Sequence, residues 1–318
     1  MKDRVELYDT TLRDGTQMEG ISLSVDDKIK IARRMDGLGV HYIEGGYPGS
    51  NPKDIEFFAR IAEMDLKSAR LVAFGSTRKA GGRADTDPNL KALLEANTPV
   101  VTIVAKAHDR HVTHVLETTL EENFAMIGDS VRHLKDAGRK VFLDAEHFFD
   151  GLEANRDYAV ECLKAAATAG ADCVVLCDTN GGTMASRISE IVRAAVKEVP
   201  CEVGIHTHNG ADVAVAGSLA AVEAGATHVQ GAANGYGDMC GNANLFSIMA
   251  NLKLKLGIDV VSDEQLSRLT EVAHYVAEIA GDSDLHAEAD SAVEALRMMR
   301  ELLEDRVNNP STVRTGSE

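Results

Sequence analysis

The sequence predicts an α/β protein of the (β/α)₈ TIM-barrel class, and two observations support this. At residues 38–40, 169–171 and 224–226, an amphipathic stretch ends at a glycine and a short β-branched run follows within two or three residues. Because glycine adopts the left-handed conformation that ends a helix, each junction is interpreted as a helix leading into a strand. Eight such strands alternate with helices in about 250 residues, which is what a (β/α)₈ barrel requires.

Eight short runs are predicted as strands, with helices between them. In chain order they are Val5–Asp9, Tyr42–Gly45, Leu71–Gly75, Val100–Val104, Val141–Asp144, Cys173–Cys177, Glu202–His206 and His228–Gly231. Ser24 and Asp27 have capping-box spacing at the start of helix 26–38, and Asn51-Pro52 is typical of a helix start at 52–62. A doubly wound open sheet is the alternative, but LRDGTQ rather than a GxGxxG turn follows the first strand.

The chain continues beyond the predicted barrel with too few residues for a second ordinary domain. Ser262 and Gln265 have capping-box spacing, and one apolar face continues until Gly281. A second apolar stripe follows, so the extension is predicted to be a helical hairpin. The predicted domains are a barrel at 1–257, a helical extension at 258–306 and a disordered tail at 307–318. We expect the hairpin to pack against a second copy in a two-fold homodimer.

The composition excludes several classes of protein. With 44% hydrophobic residues, the chain is too apolar for low-complexity disorder, yet it lacks the apolar run of about 20 residues that a membrane span needs. Lys and Arg total 33 against 50 Asp and Glu, and the formal charge of −17 would repel nucleic-acid phosphates. Five cysteines without a CxxC pair argue against disulfides or structural zinc, and no signal peptide is visible, so a cytoplasmic protein is expected.

Polar motifs follow the predicted strands at the end where the loops of a barrel form its functional surface. The residues concerned are Arg13 and Asp14 after the first strand, Glu44 in the second, Lys106 after the fourth, Asp144 and Glu146 at the fifth, Thr179 after the sixth, and His206 and His208 at the seventh. Because carboxyl ends of all eight strands meet at one rim, these side chains are expected to lie close together.

The HTH motif indicates half of a divalent metal site. His206 and His208 lie two residues apart on an extended segment, so both imidazoles point to the same face. Histidines at a strand end can instead simply hydrogen-bond to the backbone, and for an isolated HxH that interpretation is favoured. Here Asp14 can supply charge from across the barrel, and Asn242 can supply a neutral oxygen. This mixture of ligands suits Mg²⁺, Mn²⁺ or Zn²⁺.

The neighbouring charged residues each have two interpretations. Arg13 can form a rim salt bridge, but beside a metal ligand its guanidinium would stabilise a negative oxygen developing on a bound substrate. Lys106, Asp144 and Glu146 can bind substrate or act in catalysis, and they can equally form a buried ion-pair cluster.

Several separated motifs, in order, resemble a known family. They are LYDTTLRDGTQMEG, FGSTRKA, DAEHFFDG, CDTNGGT, HTHN and GAANGYGDMCGNANL. Together they resemble the catalytic barrel of the metal-dependent Claisen-condensing enzymes. That family contains 2-isopropylmalate, homocitrate and citramalate synthases and, more distantly, 3-hydroxy-3-methylglutaryl-CoA lyase. The resemblance covers about residues 5–280, and DAEHFFDG and GNANL resemble the citramalate branch.

The resemblance implies an acyltransferase that condenses acetyl-CoA with a 2-oxo acid, pyruvate in the citramalate branch, and then hydrolyses the thioester. It implies that the metal ligands are Asp14, His206, His208 and Asn242. Arg13 would stabilise the enolate or alkoxide, and Glu146 and Asp238 are candidate catalytic carboxylates. The candidate substrate-binding residues are Arg13, Gln17, Glu44, Lys106 and Thr179. The metal would act as Lewis acid and template.

The sequence also departs from the family pattern. Gly237-Asp238-Met239 stands where Gly-Glu-Arg is usual, Gly210 replaces an Asp, and residues 257–318 are too few for the usual lid subdomain. A lyase or aldolase of a related 2-hydroxy or 2-oxo acid is therefore the alternative. Cys240 invites comparison with a lyase's cysteine, but its context differs and it is interpreted as a packed thiol. A third hypothesis is a catalytically silent protein that binds a metal-chelated oxo acid.

Overall fold

Eight strands are the framework of the molecule, and the structure, a computed structural model, describes residues 4–281. The strands are β1 (Glu6–Asp9), β2 (Tyr42–Gly46), β3 (Arg70–Ser76), β4 (Val100–Lys106), β5 (Lys140–Glu146), β6 (Cys173–Asp178), β7 (Glu202–Thr207) and β8 (His228–Gly231). All eight predicted strands are confirmed, with each end within two residues of its predicted position.

The strands close into a parallel barrel in sequence order. Closure occurs where β1 pairs with β8, for example at Leu7 and Val229. The three predicted junction glycines, Gly39, Gly170 and Gly225, all have positive φ, as helix-ending residues that lead into a strand require. The prediction of a (β/α)₈ barrel is therefore confirmed.

Twelve helices surround the barrel within the described residues. They are α1 (Val25–Gly37), α2 (Pro52–Ile61), α3 (Pro88–Glu95), α4 (Asp109–His114), α5 (Leu120–Asp136), α6 (Phe148–Ala154), α7 (Arg156–Thr168), α8 (Ala185–Glu198), α9 (Ala214–Glu223), α10 (Leu245–Leu254), α11 (Asp263–Ser267) and α12 (Leu269–Ala280). The predicted capping box of Ser24 and Asp27 is present at α1, and the Asn51 side chain caps α2. In this part of the chain, no helix is both long and apolar enough to cross a membrane.

The described part of the extension packs against the barrel. The predicted capping box of Ser262 and Gln265 is present, but the predicted single helix is interrupted, because the Arg268 N–H bonds to Gln265 three residues back and tightens the turn between α11 and α12. The Asn234 side chain donates to the Ala273 carbonyl at 3.0 Å. The second helix of the predicted hairpin and the tail at 307–318 lie outside the described residues, and the domain boundaries and the dimer stay predictions.

The interior of the barrel has an apolar part that we call the inner core. It consists of Tyr8, Tyr42, Val72, Val100, Phe142, Cys173, Val175 and Cys177. A larger apolar cluster fills the space between the strands and the helices. Since side chains alternate along each strand, the residues that point into the barrel next to the inner core reach its carboxyl end, where the predicted site residues lie.

Candidate metal centre and active site

Three predicted ligands meet at the carboxyl end of the barrel. Asp14 follows β1, His206 lies in β7 and His208 follows it, and all three side chains are buried. The Asp14 Oδ2 atom lies 3.5 Å from His206 Nε2 and 3.4 Å from His208 Nε2. One ligand atom from each residue falls within 4.8 Å of the others, so the three residues could hold a metal ion.

Asn242 lies beside this triad and has a free acceptor. Its backbone pairs with that of His208, and its Nδ2 donates to the Tyr236 carbonyl at 3.1 Å. Its Oδ1 is buried, and nothing within residues 4–281 donates a hydrogen bond to it. Such an orphaned oxygen beside two imidazoles and a carboxylate fits the mixed ligand set of a divalent cation.

A glycine makes room for the Asn242 side chain. A Cβ atom at Gly237 would lie 1.9 Å from Asn242 Nδ2 and 2.8 Å from its backbone nitrogen. A side chain at position 237 would overlap Asn242, so the glycine leaves the space that the Asn242 amide occupies.

Arg13 is held over the site by a carboxylate and an aromatic ring. Its Nε donates to Glu44 Oε1 at 2.5 Å, and its guanidinium carbon lies 3.8 Å from the Phe74 ring centroid. Its Nη1 lies 3.6 Å from Asp14 Oδ1. Glu44 is fully buried and also accepts a hydrogen bond from the Tyr8 hydroxyl. The guanidinium is therefore fixed next to the triad by contacts that leave it little freedom.

The charge of the triad depends on a balance between burial and these contacts. Burial tends to raise the pKa of Asp14, but the Arg13 guanidinium and the hydrogen bond to His208 hold that pKa well below its ordinary value. Burial, with the neighbouring His208, lowers the pKa of His206 to about 4. Burial would also lower the pKa of His208, but its hydrogen bond to Asp14 raises it. Near neutral pH, Asp14 is ionised and His206 is neutral, which are the forms that bind a cation.

Two further carboxyl groups lie buried beneath the triad. Burial raises the pKa of Glu44 despite its contacts with Arg13 and Tyr8. Burial and the nearby Glu44 carboxylate raise the pKa of Asp144 to about 8. Asp144 does not join an ion pair with Lys106, as the cluster hypothesis proposed, but accepts a hydrogen bond from Gln230 at 3.0 Å. We call the six buried polar residues here the polar layer: Asp14, Glu44, Asp144, His206, His208 and Gln230.

Gln230 and the Tyr8 hydroxyl are members of these networks that the motifs did not reveal. Gln230 is fully buried in β8, and its Oε1 lies 2.8 Å from His206 Nδ1. Tyr8 lies in β1 and donates to Glu44. The available signal was alternation, since both residues are polar at inward-facing positions of buried strands.

The other predicted residues lie at various depths around the rim. Lys106 and Glu146 form an ion pair, and each side chain is about one quarter exposed, so the pair is not fully buried. The Thr179 carbonyl accepts from His208 Nδ1 at 2.6 Å, and its hydroxyl accepts from the His147 N–H at 2.8 Å. Thr179 therefore orients a member of the triad.

Two predicted residues lie outside the buried cluster. Gln17 is exposed in the short 3₁₀ turn that follows Asp14. Asp238 is exposed, and its Oδ1 accepts from the Met239 N–H at 2.8 Å. Their roles stay predictions.

The interpretation of Cys240 as a packed thiol is wrong, because this side chain is exposed. The loop that carries it projects outward, and Met239 has a positive φ of 53° and an exposed side chain. Cys240 and Asn242 line a cavity of about 1000 Å³ that extends to Gly281.

Comparisons with known proteins identify the family. The family model described as HMGL-like matches residues 4–276. The chain belongs to the HMGL-like family. It is 53% identical over 280 residues to the (R)-citramalate synthase of Streptomyces coelicolor, and the match covers 88% of this chain and 52% of the relative. With the (R)-citramalate synthase of Aquifex aeolicus it shares 54% identity over 281 residues, covering 88% and 53%.

More distant relatives also match the whole barrel. This HMGL-like chain is 35% identical over 279 residues to the 2-isopropylmalate synthase of Sulfolobus acidocaldarius, covering 87% of this chain and 69% of the relative. The resemblance to the Claisen-condensing enzymes and their citramalate branch is therefore confirmed. The chain spans about half the length of the citramalate synthases that it matches.

Solved structures support the same fold. The hydroxymethylglutaryl-CoA lyase of Pseudomonas aeruginosa matches with a TM-score of 0.76 at 20% identity, covering 92% of this chain and 98% of that one. The HMG-CoA lyase of Bacillus subtilis matches with a TM-score of 0.73 at 18% identity, covering 88% and 94%. At these identities the likeness shows the shared barrel fold alone.

Proposed function

We propose that this chain is the catalytic barrel of a citramalate synthase, which condenses acetyl-CoA with pyruvate and hydrolyses the thioester to release CoA. The observation that carries the proposal is the identity of 53–54% with (R)-citramalate synthases over the part of the chain that holds the polar layer. Identity at this level extends over the whole barrel and so includes the strands and loops that build the site. The substrates are those that these relatives' name implies.

We assign a divalent metal, Mg²⁺, Mn²⁺ or Zn²⁺, to the site formed by Asp14, His206, His208 and Asn242. The orphaned Asn242 oxygen and the ionised Asp14 support this assignment. When bound, the metal supplies Lewis acidity and a template for the oxo acid. The protein's own contribution is to keep the four ligand groups buried and fixed before the substrate arrives.

Arg13 is assigned to the negative oxygen that develops when the acetyl carbon attacks the ketone. Its Nε is engaged by Glu44, and its stacking on Phe74 holds the guanidinium plane in place. The Arg13 side chain is 14% exposed, so it is not completely closed off from solvent. A fixed cation of this kind stabilises charge without reorganising during the reaction.

Proton removal from the acetyl methyl group is assigned to Glu146. Its carboxylate is partly exposed at the rim and is fixed by the ion pair with Lys106. Lys106 also places a positive charge where the anionic substrates enter. Thr179 and Gln17 are assigned to substrate contact, with the Thr179 hydroxyl for the oxo acid's carboxylate. Asp238 is kept as a second candidate catalytic carboxylate.

A lyase or aldolase is the second candidate, and one observation favours it. The exposed Cys240 thiol lines the same cavity as Asn242, one of the proposed metal ligands. The lyase is the second candidate because the chain is 53–54% identical to citramalate synthases.

The experiment that separates the candidates follows free CoA and carbon products together. The 318-residue chain is incubated with Mn²⁺, acetyl-CoA and pyruvate, and thiol release and citramalate are measured. Pyruvate-dependent release of CoA with equimolar citramalate is expected, and it should be unaffected by Cys240→Ser. Cleavage of citramalate without thiol release, lost in Cys240→Ser, would establish the lyase instead. Absence of turnover with any 2-oxo acid at saturating metal would favour the silent binding protein.

A further inference from the structure

We propose that Gln230, itself held by Asp144, is a positioning residue that fixes the orientation and tautomer of the His206 ring. The inference deepens the proposed function, because His206 is one of the proposed metal ligands. It rests on three buried side chains that come from three different strands, β5, β7 and β8.

The first step is the direction of the bond between Gln230 and His206. Gln230 Oε1 lies 2.8 Å from His206 Nδ1. An amide oxygen has no proton to give, so Nδ1 must be the donor. A neutral imidazole carries one N–H, and its other nitrogen, Nε2, therefore presents a lone pair. That nitrogen lies 3.5 Å from Asp14 Oδ2, on the side of the proposed metal.

The second step is what keeps the Gln230 amide from turning over. Its Nε2 donates to Asp144 Oδ1 at 3.0 Å. In the reversed orientation, the amide oxygen would face the Asp144 oxygen and the NH₂ group would face His206 Nδ1. Asp144 Oδ1 is the accepting oxygen, so any proton on this carboxyl group is on Oδ2. The reversed amide would therefore set two acceptors against each other in a buried site and would force His206 into the other tautomer. Asp144 thus selects the amide orientation, and the amide selects the tautomer.

His206 and His208 are oriented by different hydrogen-bond partners. His208 Nδ1 contacts the Thr179 backbone carbonyl at 2.6 Å, and a backbone carbonyl cannot rotate away or be substituted. His206 depends on a side chain that can be changed. Substitution of Gln230 should therefore alter His206 while His208 serves as an internal control in the same molecule.

The test uses metal-free protein with ¹⁵N-labelled histidine, in which NMR reports the tautomer of each ring. In the wild-type chain, His206 is expected to carry its proton on Nδ1. Gln230→Leu should populate the Nε2-protonated form and leave His208 unchanged. Gln230→Glu retains an acceptor and should restore the wild-type tautomer. An unchanged His206 tautomer in folded Gln230→Leu protein would overturn the proposal.

Metal affinity gives a second measurement by calorimetry with Mn²⁺ alone. Gln230→Leu should weaken Mn²⁺ binding by about 10–100-fold, as is typical when a group that orients a ligand is lost. Gln230→Glu should recover most of the affinity, and Val100→Ala, which opens a void in the inner core, should leave it within about twofold. Equal affinities of Gln230→Leu and the wild type would overturn the proposal. If Gln230→Leu changes the His206 tautomer but the wild-type chain binds no Mn²⁺, the positioning role is supported and the proposed metal function is contradicted.

Discussion

The inner core and the polar layer occupy the same barrel interior, but the first consists mainly of apolar side chains and the second of polar and ionisable ones. On β5, Phe142 belongs to the inner core, and Asp144, two residues nearer the carboxyl end, belongs to the polar layer. The Phe142 ring packs edge-on against Tyr42 with centroids 5.1 Å apart. Asp144 is equally buried but has a carboxyl group whose ionised form is disfavoured there. One end of the barrel is arranged for stability, and the other retains buried charge that stability alone would not select.

The comparison teaches that burial has different consequences at the two ends. In the inner core, removal of apolar side chains from water stabilises the fold. In the polar layer, the same burial shifts the pKa values of Glu44, Asp144 and His206 away from their ordinary values. Substitutions should therefore separate into those that change stability and those that change chemistry.

The largest effect is expected at the ligand end of the polar layer. Replacing His206 and His208 together by Ala should lower kcat/KM for pyruvate by at least about 10³-fold, because the Lewis acid contributes several kcal/mol to the barrier. Metal content should fall to background while the metal-free protein remains folded. The control is His133→Ala on α5. If the double variant kept wild-type metal content and turnover, the polar layer would have no special role in metal binding or catalysis.

A comparably large effect of the other kind is expected in the inner core. Phe142→Ala removes a fully buried ring and should lower the free energy of unfolding by about 3–5 kcal/mol, measured by denaturant titration of metal-free protein. The kcat of the folded enzyme should change by less than about threefold. Phe124→Ala on α5, where the ring is half-buried, should cost less stability. A large fall in kcat without loss of stability would show that the inner core also serves the chemistry.

Arg13→Lys sharpens the comparison because it keeps the charge and changes the geometry. A lysine cannot keep the planar contacts with both Glu44 and Phe74, so kcat should fall by about 10²–10³-fold with little change in KM. Arg60→Lys, at an exposed ion pair on α2, is the matched control. Equal kcat values for the two variants would show that Arg13 does not take part in the reaction.

The smallest predicted effect is a pH-dependent gain in stability. The raised pKa of Asp144, about 8, means that the folded state binds this proton more tightly than the unfolded state, so the residue costs stability increasingly as pH rises. Asp144→Asn should therefore stabilise metal-free protein, and the gain should grow by about 1.4 kcal/mol per pH unit between pH 5 and pH 7. Asp65→Asn, at an exposed position, should show no such trend. A gain in stability that does not change with pH would show that the pKa of Asp144 in the folded protein is ordinary.

The barrel and its ligand motif could be predicted from sequence because both depend on local patterns. Junction glycines followed by β-branched runs define the strands, and the spacing of His206 and His208 places both rings on one face. The barrel rule then brings Asp14 to the same rim. None of these steps needs knowledge of which residues meet across the barrel.

What the sequence did not reveal depends on contacts between distant strands or on loop conformation. The partners of Gln230, on β7 and β5, are 24 and 86 residues away, and strand register alone decides that they meet. The break at Arg268 and the exposure of Cys240 follow from local turns that an apolar stripe does not encode.

The most direct test of the central claim is anomalous diffraction from crystals of the chain grown with Mn²⁺ and pyruvate. The claim is that the polar layer is built to hold a catalytic cation. The expected result is one manganese peak bounded by the Asp14 carboxylate, the Nε2 atoms of His206 and His208, and the Oδ1 atom of Asn242. A manganese ion bound elsewhere, with these four residues contacting only each other at saturating Mn²⁺, would contradict the claim.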